Sequence, residues 1–239
     1  ACERQVEGAA QPALFGGATP DDSSGSMTYV QIRYSGFVLS GDNELQSLTP
    51  SGIGSGTTLN NIMSFNSSDD GVEFFGGRVN VRNLIIVGPE DDGLDSDTGV
   101  KLNAQNVIVI QRPGVGDTII EADSNNGLED QTPRQNTQIS NATFISNSGV
   151  GDQAIRIRGG TDYTIVNSVL VDHINRNVAM HREYTNALAS TIELIREELQ
   201  RLIHFENRLL QYAQQITPYV DTKDRDVTRL IVEVASGIS

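Results

Sequence analysis

The chain has 239 residues, a formal charge of −14 and 37% hydrophobic residues, enough apolar material for a core but little for a compact α/β enzyme. A field this negative repels phosphate backbones, and with no basic stripe to offset it nucleic acid is excluded as a partner, which leaves cations and sugars. Cys2 is the single cysteine, so no internal disulfide can form, and no run of about 18 apolar residues is present to span a membrane.

Along the chain, a short pattern recurs. In "SMTYVQIRYSG" Thr28 opens the first copy, with Val30 and Ile32 expected to point inward. Residues 35–57, rich in glycine and serine, follow as a loop. Asn61, Asn83, Asn106, Asn141 and Asn167 then each begin an apolar alternation: Leu59/Met63/Phe65, Val81/Ile85/Val87, Ala104/Ile108/Ile110, Ile139/Thr143/Ile145 and Ile165/Val169/Val171. Alternation of period 2 that repeats every 20–30 residues predicts strands that bury one face only by stacking on their neighbours, a parallel β-solenoid. The asparagines are expected to form a buried ladder of amides. Gly71, Gly93, Gly116 and Gly151 each come ten residues after an asparagine and predict one corner repeated rung by rung. A second insertion spans 124–137.

Before the first two of these glycines stand Asp69-Asp70 and Asp91-Asp92, which stacking would place roughly 5 Å apart. Carboxylates this close stay hydrated, raise their pKa values or take up a cation. Calcium is the expected ion, held by Asp69, Asp70, Asp91, Asp92 and Asp95, because the oxygens are hard and no His/Cys set at transition-metal spacing is present. Asp97, Asp117, Glu121, Asp123 and Asp152 add to the region, while His173, His181 and His204 lie at or beyond its end. The structural alternative is that the Asp-Gly corners simply make turns through side-chain-to-backbone bonds.

The asparagine-led strands, the "DDG" corners, "VEFFGG" at 72–77 and "DQAIRIRGG" at 152–160 resemble the right-handed parallel β-helix, pectin-lyase-like superfamily. More narrowly, residues 2–172 resemble secreted or surface-attached bacterial β-helix proteins of unassigned activity, which usually carry more coils on both sides. This implies an extracellular or cell-surface location and a chain that is a fragment or a fusion. "SDDG" and Arg156-Ile157-Arg158 are similar to the "DD" and "RIK" elements of polygalacturonases, but that family's Gly-His-Gly element has no counterpart here.

Glycine use and charge change together near Asp172–Asn177: residues 1–174 carry 22 acids against 9 bases, and 175–239 carry 9 against 8. From Val178, Leu188, Ile192, Ile195, Leu199, Leu202, Leu209, Ala213 and Ile216 follow heptad steps and predict a long amphipathic helix, ended by Pro218; Asp221 or Asp224 caps a shorter one. The expected organisation is a β-helix over 1–174 and a helical segment over 175–239, with self-association through 178–216. Three functions follow from it. The first is a non-enzymatic surface scaffold, adhesive or glycan-binding, with calcium in its acidic turns. The second is a polysaccharide lyase or glycoside hydrolase using Asp69, Asp70, Asp91 and Asp92 as acid/base groups or cation ligands and Arg156 or Arg158 as substrate clamp. The third is an assembly subunit joined through the helices.

Overall fold

A computed structural model describes residues 3–6, 11, 13–40, 43–124, 132, 134–146, 149–151, 153–171 and 178–180. All of them belong to the first of the chain's two units, Ala1–Arg182. The heptads, the second helix, the three histidines and Asp152 lie outside the described residues. Among those residues the strands are β1 (Glu3–Gln5), β2 (Leu14–Gly16), β3 (Ser26–Arg33), β4 (Phe37–Ser40), β5 (Asn43–Leu45), β6 (Thr58–Phe65), β7 (Val72–Phe75), β8 (Arg78–Val87), β9 (Leu94–Asp97), β10 (Lys101–Ile110), β11 (Ile120–Ala122), β12 (Asn136–Ile145), β13 (Ile155–Ile157), β14 (Asp162–Val166), β15 (Val169–Val171) and β16 (Val178–Met180).

Two parallel sheets wind around one core. The long strands stack in the order β14-β12-β10-β8-β6-β3, with β15 also on β12, and the short strands stack as β16-β13-β11-β9-β7. Successive rungs pair residue for residue: Leu59 with Val81, Val81 with Ala104, Ala104 with Ile139 and Ile139 with Ile165. Two antiparallel hairpins, β1-β2 and β4-β5, are added, and Phe15 of β2 packs on Phe75 with ring centroids 6.2 Å apart. The solenoid expected from the repeat is therefore present.

Its inner face differs from the expected one. Asn61, Asn83, Asn106, Asn141 and Asn167 all have φ between +50° and +59°, the left-handed region that asparagine tolerates better than most residues. Each bends its long strand and shifts the alternation by one. Val79 and Val81 face inward before the bend and Leu84 and Ile86 after it; Leu102 and Ala104 are likewise followed by Val107 and Val109. The residues expected inside after the asparagine turn outward, Ile85 at 37% exposure and Ile108 at 38%. The amide ladder exists, with Asn83 Nδ2 donating to Asn61 Oδ1 at 2.9 Å and Asn106 Nδ2 to Asn83 Oδ1 at 2.8 Å. It runs along an outer corner rather than through the core, and in the first coil its position belongs to Tyr29, not Thr28, because Thr28 pairs with Asn60 and Val30 with Ile62.

Two further expectations are corrected. Gly71 and Gly93 share a column, but the next rungs fill it with Ile119 and Ala154, three residues beyond Gly116 and Gly151. Longer corners in these two coils displace the glycines, and Gly116 lies instead against the Pro89 and Asp91 carbonyls. The segment 35–57 is no simple loop: after the β4-β5 hairpin its backbone joins the short-strand sheet, with Glu73 N–H donating to Leu48 O and Phe75 N–H to Pro50 O. At the other end, Val178–Met180 is a strand paired with Ile155–Ile157 and not the start of a helix, since β13 offers those residues an unfilled edge.

Candidate functional site

The acidic residues occupy the corner that leads into the short strands and the outer face of those strands. At the corner, Asp69-Asp70-Gly71 stacks under Asp91-Asp92-Gly93, because Val72 is in register with Leu94. The turn leaves backbone N–H groups pointing along the stack, and the second acid of each pair answers them. Asp92 N–H donates to Asp70 Oδ1 at 2.9 Å, while Thr118 N–H and Thr118 Oγ1 donate to Asp92 Oδ1 at 2.5 and 2.7 Å. A third rung thus replaces the aspartate with threonine, and Asp117 stands beside it.

Beyond the glycine, the outward position of each short strand continues the theme. Glu73, Asp95, Glu121 and Arg156 are in register on β7, β9, β11 and β13. Arg156 bridges Asp117 Oδ2 at 2.8 Å and Glu121 Oε1 at 2.9 Å; Arg158 bridges Glu121 Oε1 at 3.2 Å and Asp123 Oδ2 at 2.7 Å. Among the described residues, carboxylate oxygens come within 4.8 Å of one another in three groups: Asp69/Asp70/Asp91, Asp70/Glu73/Asp95 and Asp91/Asp92/Asp117.

Crowding and burial change their protonation. Asp92 is 3% exposed and Asp95 8%. Loss of solvent raises Asp70, Asp92 and Asp95 well above the ordinary carboxylate range; repulsion adds to this, from Asp92 and Asp95 at Asp70, and chiefly from Glu121 at the other two. Asp91, on the surface of the corner, is raised to about 6 by partial desolvation and by the charges of Asp69, Asp117 and Glu121, with Arg156 opposing. Burial also raises Asp69, Asp97 and Asp123, each moderated by a backbone N–H. For Arg156, burial works against the charge, but hydrogen bonds and the charges of Glu121 and Asp117 outweigh it and hold its pKa above the usual guanidinium value.

Four of the residues singled out in the sequence, Asp69, Asp70, Asp91 and Asp92, therefore meet at one corner, and Asp95 joins them through Asp70. Arg156 and Arg158 are on the same side of the coil; they form ion pairs with Asp117, Glu121 and Asp123, and the charge of Arg156 is also felt at Asp91. Glu73 was hidden in the apolar run "VEFF"; aligning "DDGVE" with "DDGLD" places it opposite Asp95 and would have found it. All donors in the three groups are carboxylate oxygens, a set that suits a hard cation such as calcium and gives a softer metal nothing to prefer.

A family model described as a pectate-lyase-like beta helix domain matches residues 4–230. No curated protein and no solved structure matches the chain.

Proposed function

The chain belongs to the pectate-lyase-like β-helix domain family, and on that premise we propose that it is a non-catalytic, extracellular binder of acidic polysaccharide whose contact is made through calcium held by Asp69, Asp70 and Asp91. The observation that carries this reading is the convergence of these three carboxylates within 4.8 Å, with Asp91 open to solvent and the other two buried. Three carboxylates supply up to six oxygens, and calcium takes six to eight, so water or a sugar carboxylate completes the shell. Without a cation, the same group carries protons, because burial raises all three pKa values.

A catalytic reading draws on Asp91, whose pKa of about 6 suits a general base working near neutrality. Against it, the carboxylates at this corner are closer together than the roughly 6.5–9.5 Å that an inverting glycosidase leaves for its water. Arg156 and Arg158 are each held by two carboxylates and are poorly placed to take a proton or clamp a substrate.

Calorimetric titration of the full chain with calcium tests the proposal, followed by co-sedimentation with polygalacturonate in calcium and in EDTA. Asp91→Asn should weaken calcium at least tenfold and abolish calcium-dependent co-sedimentation. Calcium affinity unchanged in both Asp69→Asn and Asp91→Asn would refute the site. Release of unsaturated or reducing ends from the polymer would favour the enzyme instead.

A further inference from the structure

At the start of the long strands, one outward file combines an amine, an amide and a carboxylate. Lys101 on β10 is in register with Asn136 on β12, and Asn136 with Asp162 on β14. Strands about 4.8 Å apart make these side chains immediate neighbours on one face. Lys101 is one of only two lysines among the 17 basic residues of the chain. The preceding rung fills the same file with Arg78, which supplies a positive charge but no nucleophile.

The surroundings bring the amine to the amide. Lys101 Nζ donates to the carbonyl of Arg134, two residues ahead of Asn136, so it lies against the segment that carries that side chain. Gln138 Nε2 donates to Asn136 Oδ1 at 3.3 Å and draws electron density from the amide carbon. Arg134 holds the Asp162 carboxylate, with Nη2 at 3.0 Å from Oδ1 and Nε at 3.2 Å from Oδ2, and fixes it at the next step of the file. Lys101, Asn136 and Asp162 are all half-buried. Burial lowers the Lys101 pKa below its ordinary value, and the charges of Arg134 and Arg78 act in the same direction, with Asp162 opposing. Desolvation and neighbouring cations are what activate a lysine as a nucleophile.

We propose that Lys101 and Asn136 are joined by an intramolecular isopeptide bond, which the folded chain forms by itself with Asp162 carrying the proton. Asp162 takes a proton from the Lys101 ammonium, and Nζ attacks Asn136 Cγ. The Cγ–Nδ2 bond then breaks as Asp162 returns its proton to the departing nitrogen. The proton that Nζ still has to shed passes to the released ammonia, which leaves as ammonium. One C–N bond forms and one breaks, and no oxidant, reductant or co-reactant is consumed. The bond ties β10 to β12 across 35 residues, the longest interval between paired long strands and the one that contains the insertion at 124–137. It constrains the unfolded chain as a disulfide does, in a chain whose single cysteine can form none internally.

The intact mass of the full chain under denaturing conditions tests this. It should lie about 17 Da, one ammonia, below the mass of the sequence. A tryptic digest should contain a branched peptide linking Lys101 to Asn136, with no cleavage after Lys101. Lys101→Arg, Asn136→Ala and Asp162→Asn should each show the full mass of their own sequence, whereas Asp162→Glu should keep the bond. The wild type should melt above Lys101→Arg, which retains the positive charge. A wild-type chain at its full sequence mass and cleaved after Lys101 would overturn the proposal, and that result needs no variant to fold. A deficit that persists in Lys101→Arg, or a cross-link that still forms in Asp162→Asn, would overturn it as well.

Discussion

Replacing Asn83 by alanine removes both devices that make the bend in β8. Its Nδ2 donates to Asn61 Oδ1 at 2.9 Å and its Oδ1 accepts from Asn106 Nδ2 at 2.8 Å, and its φ is +58°. The ladder lies at the surface, so water partly replaces the lost bonds and the two together are worth about 1 kcal/mol. Alanine in the left-handed region costs about 1–2 kcal/mol more, for a total of about 2–3 kcal/mol. Asn83→Gly loses the same bonds but escapes the dihedral cost, exchanging it for about 0.5–1 kcal/mol of backbone entropy. It should fall between alanine and wild type, closer to the wild type by up to about 1 kcal/mol. Urea unfolding of the three proteins reads these differences directly. An alanine variant within about 0.5 kcal/mol of wild type, or a glycine variant less stable than alanine, would show that the bend is held by something other than the asparagine.

Asp92→Ala should cost about 1–3 kcal/mol, because it strands the buried Thr118 N–H, whereas Asp92→Asn should be nearly neutral, since an amide oxygen accepts the same bonds; thermal melts distinguish them. Gly93→Ala should cost about 3 kcal/mol or prevent folding, as its Cβ would lie 2.4 Å from Ile119 O and 2.5 Å from Val109 Cγ1, while Gly114→Ala meets no atom within 4 Å and should fold, losing only the roughly 1–2 kcal/mol that its φ of +83° costs an alanine; expression and urea midpoints decide. Stability should fall with rising pH when divalent cations are removed. Asp91 is raised to about 6, and Asp70, Asp92 and Asp95 are raised well above their unfolded value of 3.8, so the folded chain holds protons that the unfolded chain releases. Their contribution is complete below the unfolded value and is lost as pH climbs through the folded ones. A urea midpoint that rises between about pH 5 and pH 7.5 in EDTA would contradict this.

The repeat made the solenoid readable because strands that must stack carry their register in the spacing of Asn61, Asn83 and Asn106. The inner face was misread for a local reason. Strict alternation assumes a straight strand, and an asparagine at positive φ breaks the count by one. The spacing of Val79, Val81, Leu84 and Ile86 is two, three, two, and that middle step records the bend. The ten-residue interval to Gly116 and Gly151 was coincidental, since longer corners in those coils moved the true column to Ile119 and Ala154. Asp69, Asp70, Asp91 and Asp92 were legible because two rungs of equal length stack without insertion.

The paired acids divide their work by position. In each pair the second residue is committed to the backbone of the next rung, Asp70 to Asp92 N–H and Asp92 to Thr118. The first residue has no such duty to the neighbouring coil, and Asp91 is open to solvent. A corner that only made turns would require the second acid alone. Retaining the first places an extra carboxylate against neighbours that already raise its pKa, a cost to folding that turn-making does not explain. The same substitution at the two positions should therefore separate cleanly: Asp92→Ala destabilises the coil, whereas Asp91→Ala leaves stability equal or higher in EDTA and removes the response to calcium. Equal effects at both positions would mean that the pair acts as one structural unit and that the corner holds no ion.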